Sequence, residues 1–99
     1  MKRLTGCRAK IDIIDEKILR LLSRRTQIAI QVGKLKRSSG RPYDSPERER
    51  DILRRFVQRN PGPLQNRGIE RMFRLVIPES LEAEKKAFPG PAVIEGARQ

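Results

Sequence analysis

Residues 5–37, TGCRAKIDIIDEKILRLLSRRTQIAIQVGKLKR, carry apolar side chains at steps of three and four along most of their length. Steps of this size place side chains on one face of an α-helix, and a heptad-like row is typical of helices that pack against other helices. The row consists of Ile11, Ile14, Ile18, Leu21, Ile28, Val32 and Leu35. The pattern therefore predicts one long first helix over about Thr5–Arg37.

This predicted helix is too long for a compact chain of its size. The sequence has 99 residues, and a globule of that length is about 25–30 Å across. A straight helix over Thr5–Arg37 spans roughly 45–50 Å at ~1.5 Å per residue. We therefore expect the helix to extend beyond its own chain and to be covered by another chain, most simply in a homodimer.

A second helix is predicted after a break in the chain. Gly40 and Pro42 are expected to end the first helix. Ser45 then has the character of an N-cap, Pro46 suits the first helical position, and the Glu47 carboxylate is favourable near a helix N-terminus. The apolar face of this helix is predicted to be Ile52, Leu53, Phe56 and Val57.

A third helix is predicted from residue 64 or 66 to residue 86, after the helix-ending segment 60–63, NPGP. Pro78 lies inside it and predicts a kink, because proline has no backbone N–H to donate. Its predicted apolar face is Ile69, Met72, Phe73, Val76, Ile77 and Leu81. With no strand pattern in the sequence, we expect an all-α fold of three helices over residues 1–88 and a loose tail over 89–99.

The composition excludes several classes of protein. The 23 Lys and Arg residues exceed the 12 Asp and Glu residues by 11, but the opposite charges are interleaved, as is usual for solvated helix faces. The sequence contains no His and only one Cys, Cys7, which argues against a disulfide within the chain and against a zinc site. We expect Cys7 to be buried or half-buried. No apolar run approaches the ~20 residues of a membrane span, and no apolar segment follows the basic start, so a cytoplasmic location is expected.

Several polar side chains fall where the helical pattern would place apolar ones. They are Arg8, Arg25 and Lys36 on the first helix, Arg48 and Glu49 on the second, and Ser80 and Glu84 on the third. Each has an ordinary alternative, since long charged side chains can reach solvent from an apolar face. Together they predict a cavity lined by cations, a serine and carboxyl groups, which suits a small, oxygen-rich dianion. No pair for nucleophilic catalysis, Gly-rich phosphate loop or metal-ligand cluster is present in the sequence, so we expect positioning and electrostatics without a cofactor or metal.

The order and spacing of these motifs resemble the all-helical class of chorismate mutases. The matching stretches are 8–15 (RAKIDIID), 21–25 (LLSRR), 32–36 (VGKLK), 46–49 (PERE), 60–64 (NPGPL), 72–74 (MFR) and 80–84 (SLEAE). The likeness covers roughly residues 4–88. It implies an intertwined helical homodimer that rearranges chorismate to prephenate in aromatic amino-acid biosynthesis, without a cofactor.

The resemblance implies that Arg25, Lys36 and Glu84 are catalytic and that Arg8 of the partner subunit binds the substrate. Arg8 of the partner subunit and Arg25 would hold the two carboxylates of the substrate. Lys36 would bridge a carboxylate and the ether oxygen, where negative charge grows as the C–O bond breaks. Glu84 stands where other members have glutamine and would face the same ether oxygen. A carboxylate has no hydrogen to donate, so we expect Glu84 to act in its protonated form.

The resemblance places four more residues around the substrate. Glu49 would accept a hydrogen bond from the ring hydroxyl, with Arg48 beside it. Ser80 would bond a carboxylate. Ser45 stands where some members have an aspartate, and its backbone N–H is expected to serve the ring hydroxyl in place of that side chain.

Other functions remain open from sequence alone. An isochorismate-pyruvate lyase of the same fold would use a nearly identical cationic cavity. Mutase domains of this class also occur fused to prephenate dehydratase or to the first enzyme of the shikimate pathway, so association with other shikimate-pathway enzymes is open as well. A basic helical protein that binds nucleic acid, or a dimerisation module without activity, would leave Arg25 on the apolar row unexplained.

Overall fold

The computed structural model describes residues 2–87, which form three helices. These are α1 (Lys2–Ser38), α2 (Pro46–Arg59) and α3 (Asn66–Ala87). No strand occurs within residues 2–87, so the predicted all-α fold of three helices is confirmed. α1 begins three residues earlier than predicted, and α1 and α3 each end one residue later. The tail predicted over 89–99 lies outside the described residues.

The helix ends follow from the residues that the sequence places there. Gly40 has a φ of 74°, in the left-handed region that favours glycine. The Arg41 N–H donates to the Lys36 carbonyl over 2.8 Å, which closes the last turn of α1. At the start of α2 the Ser45 hydroxyl accepts from the Arg48 N–H over 3.3 Å. Both predicted boundaries are therefore confirmed.

α3 packs against both α1 and α2, and most contacts between helices involve it. The Phe56 ring of α2 meets the Phe73 ring of α3 edge to face, with centroids 4.5 Å apart and an interplanar angle of 74°. Ile52 and Leu53 are the only hydrophobic side chains that are buried among residues 2–87. The apolar core of this chain is therefore small, as expected for its length. Pro78 lies inside α3, as predicted.

Much of α1 extends beyond the rest of the chain. Residues 2–21 are all exposed, and the chain measures 66 × 25 × 15 Å along its principal axes. Its radius of gyration is 17.7 Å, whereas a compact chain of this length has about 12.6 Å. The seven residues of the predicted apolar row are 40–67% exposed. The prediction that α1 extends beyond its own chain is confirmed. Cys7, which was expected to be buried or half-buried, is instead exposed, because it lies on this projecting half.

The face of α1 that meets α3 differs from the predicted apolar row. It is built from small and polar residues, with Arg25 bonded to Ser80 and Gly33 packed on Glu84. Ala29, between Arg25 and Gly33 on the same face, is half-buried. α1 therefore packs within the chain through its C-terminal half, while the row residues Ile11, Ile14, Ile18 and Leu21 lie exposed on its projecting half. Over residues 2–87, none of the helices combines the length and apolar character needed to cross a bilayer.

Candidate functional site

A cavity of about 280 Å³ lies among the three helices and the loop that joins α1 to α2. Its walls include the apolar side chains of Ile28, Val32, Ile52, Ile77 and Leu81. Ligand sites are concave and mostly apolar, with a few polar groups that fix orientation, and they start at roughly 300 Å³. The cavity is therefore suited to a small molecule.

Seven of the eight site residues predicted from the sequence line this cavity. They are Arg25, Lys36, Ser45, Arg48, Glu49, Ser80 and Glu84. Arg8 does not line it. That residue is exposed, on the half of α1 that projects from the chain. The structure thus brings together the residues of all three helices and leaves Arg8 apart from them.

Arg25 and Ser80 tie α1 to α3 on one side of the cavity. Arg25 Nη1 donates to Ser80 Oγ over 2.6 Å, and the Ser80 hydroxyl donates to the Val76 carbonyl over 3.0 Å. Ser80 is buried, with 6% of its surface exposed. Burial lowers the pKa of Arg25, Arg48 lowers it further, and Glu84 opposes both effects. Two cations held this close in a partly dry cavity favour an anionic ligand.

Lys36 is held at the opposite end of the same α1 face. Its Nζ donates to the backbone carbonyl of Tyr43 in the loop between α1 and α2. It also lies 3.6 Å from Glu84 Oε1, which is an ion-pair distance but too long for a hydrogen bond. The loop therefore fixes the direction in which Lys36 points, and it keeps the ammonium group beside the Glu84 carboxyl.

Glu84 is the most unusual group in the cavity. The residue is 6% exposed, and its Oε1 is buried without a hydrogen-bond partner. Burial raises the pKa of Glu84, and the charges of Lys36 and Arg25 offset only part of that effect. A buried carboxyl with a raised pKa is protonated more readily than an ordinary glutamate, and its proton makes it a hydrogen-bond donor.

Ser45, Arg48 and Glu49 form the α2 side of the cavity. Because the Ser45 hydroxyl accepts from the Arg48 N–H as the helix cap, its own hydrogen stays available to another acceptor. Arg48 Nη1 lies 3.7 Å from Asp51 Oδ2 on the next turn, and its side chain is 62% exposed. Arg48 thus lies at the solvent-exposed side of the cavity, whereas Glu84 and Ser80 form the side that is buried from solvent.

Sequence reasoning missed two residues of this site. Gly33 is the only buried residue of α1, and it lies directly against Glu84. Tyr43 lines the cavity, and its hydroxyl is buried without a hydrogen-bond partner. A glycine inside a long helix is a signal of close approach, but the tyrosine sits in a loop where no periodicity exists to assign it. Within residues 2–87, no group of three His, Cys, Asp or Glu is placed to hold a metal ion.

The matching family model is described as chorismate mutase type II, and it aligns with residues 7–85 of this chain. This range includes every residue that lines the cavity. The chain belongs to the chorismate mutase type II family. The family expectation drawn from the sequence motifs is thereby confirmed.

Two relatives show how this chain compares with other members of the chorismate mutase family. It is 45% identical over 87 residues to the bifunctional chorismate mutase/prephenate dehydratase of Neisseria gonorrhoeae, with 85% of this chain and 24% of that protein covered. It is 33% identical over 88 residues to the chorismate mutase of Methanocaldococcus jannaschii, with 87% of this chain and 88% of that protein covered. The chain therefore spans about a quarter of the bifunctional relative and most of the shorter one.

A solved structure agrees with the family assignment. The chorismate mutase of Thermus thermophilus, in its form II structure, superposes with a TM-score of 0.81 at 33% sequence identity. The superposition covers 83% of this chain and 93% of that one. The three-helix arrangement, including the long α1, is therefore a chorismate mutase fold.

Proposed function

We propose that this protein catalyses the rearrangement of chorismate to prephenate. In this reaction one ether C–O bond breaks and one C–C bond forms within the same molecule, and no atom or electron is exchanged with the protein. The observation that carries the proposal is the pairing of Lys36 with a buried Glu84 in a cavity that also holds Arg25. Such an arrangement supplies fixed charge and a hydrogen-bond donor, which is the assistance that this kind of reaction needs.

Binding of the substrate is assigned to the cations. Chorismate carries two carboxylates, and guanidinium groups match carboxylates with paired hydrogen bonds. Arg25 would take one carboxylate, turning its donors from Ser80 toward the ligand. Arg8 of the partner subunit would take the other. Lys36 would reach from a carboxylate to the ether oxygen, and Ser80 would contact a carboxylate beside Arg25.

The chemical step is assigned to Lys36 and Glu84. As the ether C–O bond breaks, negative charge grows on the oxygen, and donors already aimed at that point stabilise the transition state more than the ground state. Lys36 donates as an ammonium group. Glu84 donates as a carboxylic acid, and its burial and raised pKa support that role.

The ring hydroxyl is assigned to the α2 side of the cavity. Glu49 would accept from it, and Arg48 beside it would keep the local field positive. Ser45 would donate through its hydroxyl or its backbone N–H. The half-buried position of Glu49 and the exposed position of Arg48 support this division, with the hydroxyl directed toward the open side.

We propose an intertwined homodimer as the active form. The exposed apolar row of α1 supports it, because so many exposed apolar side chains along one helix are unusual on a monomer. The placement of Arg8 on the projecting half of α1 also supports it, since a second copy packed along α1 could bring that residue to its neighbour's cavity. We further propose residues 1–88 as the mutase domain and the cytoplasm as its location, as suits a biosynthetic enzyme. Association with other shikimate-pathway enzymes is supported by the bifunctional relatives.

The proposal is tested by following the loss of chorismate absorbance with purified protein and by converting the product to phenylpyruvate in acid. We expect turnover without added metal or cofactor. Arg25→Ala is expected to abolish most of the rate, whereas Arg24→Ala, which removes an exposed neighbour of the same kind, is expected to retain it. A folded dimer that leaves chorismate unchanged would refute the proposal, and turnover of isochorismate by that dimer would favour the lyase.

A further inference from the structure

α1 and α3 approach each other most closely at Gly33. A Cβ atom added to this glycine would lie 3.0 Å from Glu84 Cβ and 3.1 Å from both Glu84 Cγ and Oε1. Carbon atoms in favourable contact are about 3.5–4.0 Å apart, so a Cβ atom at this position would crowd Glu84, which would have to shift by a few tenths of an ångström. The glycine therefore allows the two helices to pack as closely as they do.

Glycine inside a helix is unfavourable on its own. It destabilises a helix by about 1 kcal/mol relative to alanine, because it loses more backbone freedom on folding. Gly33 lies well inside the 37 residues of α1 and has no positive φ that would demand glycine. The close approach to Glu84 is the feature of the structure that explains its presence.

The same approach sets the distance between two groups of the cavity. Lys36 follows Gly33 by three positions and so lies on the same face of α1. Its Nζ is held by the Tyr43 carbonyl on one side and lies 3.6 Å from Glu84 Oε1 on the other. If Glu84 moved away from Gly33, the separation of Lys36 and Glu84 would change while Lys36 stayed anchored to the loop.

We propose that Gly33 is a positioning residue, whose missing side chain lets α3 seat the Glu84 carboxyl against α1, out of water and beside Lys36. The inference rests on the proposed function only for its catalytic meaning. The positioning itself is a property of the packing and can be measured in the absence of any substrate.

The Gly33→Ala substitution should change the environment of Glu84 in a definite direction. The new methyl group should shift the Glu84 side chain or move the helices apart, which lets water reach the buried carboxyl. Hydration favours the ionised form, so the pKa of Glu84 should fall toward its ordinary value. The other charged or titratable groups around the same cavity stay in place, namely Arg25 and Lys36 on α1, Tyr43 and Asp44 in the loop, and Arg48 and Glu49 on α2.

The direct test is an NMR titration of the Glu84 side-chain carboxyl carbon in the full chain without ligand. Wild type is compared with Gly33→Ala and with Gly68→Ala, a matched control in α3 where an added Cβ would meet nothing within 4 Å. We expect a lowered Glu84 pKa in Gly33→Ala alone. Coincident titrations in all three proteins would overturn the inference, whether or not the protein turns over chorismate.

The kinetic test separates positioning from general damage. Gly33→Ala should lower kcat at neutral pH by about tenfold or more and change KM by less than about threefold, because the substrate carboxylates are held elsewhere. In a Glu84→Gln background the same substitution should leave the pH profile unchanged, since residue 84 no longer titrates. A pH profile that Gly33→Ala does not move in wild type would contradict the proposal.

A double-mutant cycle covers the case in which Gly33→Ala folds poorly. Glu84→Gly removes the Cβ, Cγ and Oε1 atoms that the new methyl group would meet, so Gly33→Ala should reduce the thermal stability less in that background than in wild type. Equal losses of Tm in the two backgrounds would show that Gly33 does not act through Glu84, and would refute the proposal independently of activity.

Discussion

Arg25 Nη1 donates a 2.6 Å hydrogen bond to Ser80 Oγ, which joins α1 to α3 across 55 positions of the sequence. Ser80 gives its only hydrogen to the Val76 carbonyl, 3.0 Å away. Ser80 therefore acts on Arg25 purely as an acceptor. A carboxylate that enters the cavity can bind Arg25 at once, but it can accept from Ser80 only if the bond to Val76 is given up.

Ser80→Ala should remove the acceptor that orients Arg25, together with the hydroxyl that is proposed to contact a substrate carboxylate. We expect kcat/KM to fall about fivefold to thirtyfold, which corresponds to ~1–2 kcal/mol for one buried hydrogen bond. Steady-state kinetics with chorismate measure the effect, and Ser38→Ala, which alters an exposed serine of α1, is the control. A kcat/KM equal to that of wild type would show that Ser80 neither orients Arg25 nor contacts the substrate.

Arg8 and Arg25 should each be essential and should act from different chains of the dimer. Arg8→Ala and Arg25→Ala are each expected to lower kcat/KM by about a hundredfold or more, because each leaves a substrate carboxylate without its charged partner. When the two inactive variants are refolded together in equal amounts, half of the dimers are mixed. Each mixed dimer has one site with both arginines intact, so about a quarter of the wild-type activity should return, as expected for a symmetric two-site dimer.

The mixing experiment distinguishes an Arg8 that acts in the partner's site from an Arg8 that acts in the site of its own chain. If Arg8 acted within its own chain, no mixed dimer would contain a complete site, and activity would stay at the level of the single variants. Refolding each variant alone is the control for the procedure.

The apolar row of α1 should hold the dimer together. Ile14→Gln and Ile18→Gln each place a polar group where 49–54% of an isoleucine is exposed in the single chain. We expect each to weaken self-association about tenfold or more, because burying an isoleucine is worth ~1.5–3 kcal/mol. Lys17→Gln changes the helix between these positions without touching the row, and it should leave sedimentation unchanged. Unaltered association in both isoleucine variants would place the interface on another surface.

The three helices and their ends could be predicted from the sequence, because the signals for them are local. Gly40 ends α1 and Ser45 caps α2 through short-range hydrogen bonds that any chain with these residues would form. The polar residues of the cavity could also be predicted, since Arg25 interrupts an apolar row and Ser80 and Glu84 share one face of α3.

The packing of α1 on α3 could not be predicted from periodicity. Most of the apolar row of α1 stays exposed, and the close contacts with α3 are made by Gly33 and by the polar pair Arg25 and Ser80 instead. The sequence of α1 carries two patterns, an apolar row and a face of small and polar residues that packs on α3. The apolar row is the stronger signal, so the face that packs on α3 could not be recognised beside it. The position of Tyr43 in the cavity wall could not be predicted for a different reason. A loop has no periodicity from which the side facing the cavity can be inferred.

Tyr43→Phe should leave the protein as stable as wild type or make it more stable. The Tyr43 hydroxyl is buried without a hydrogen-bond partner, and an unsatisfied buried polar group costs about 1–3 kcal/mol. Phenylalanine keeps the ring and removes the cost. Chemical denaturation of the dimer at fixed protein concentration measures the change. A loss of more than about 1 kcal/mol, the size of an ordinary hydrogen bond, would reveal a partner for the hydroxyl.

The pH dependence of the reaction should report the protonation of Glu84. Burial raises the pKa of Glu84, and the positive charges of Lys36 and Arg25 reverse this only in part. The acid form can donate to the ether oxygen, whereas the carboxylate cannot donate and repels the developing charge. We therefore expect kcat to increase as the pH falls below neutral toward the raised pKa.

The free energy of unfolding should also increase as the pH falls, for the same reason. A carboxyl whose pKa is higher in the folded state than in the unfolded state binds its proton more tightly when folded. Its contribution is fully present below the ordinary pKa of glutamate and is lost as the pH rises through the raised value. Glu84→Gln keeps a neutral donor at all pH values, so both kcat and Tm should lose this dependence. The exposed neighbour Glu82 provides the control, since Glu82→Gln should retain both profiles. A Glu84→Gln enzyme whose pH–rate curve matches wild type would remove Glu84 from the chemical step.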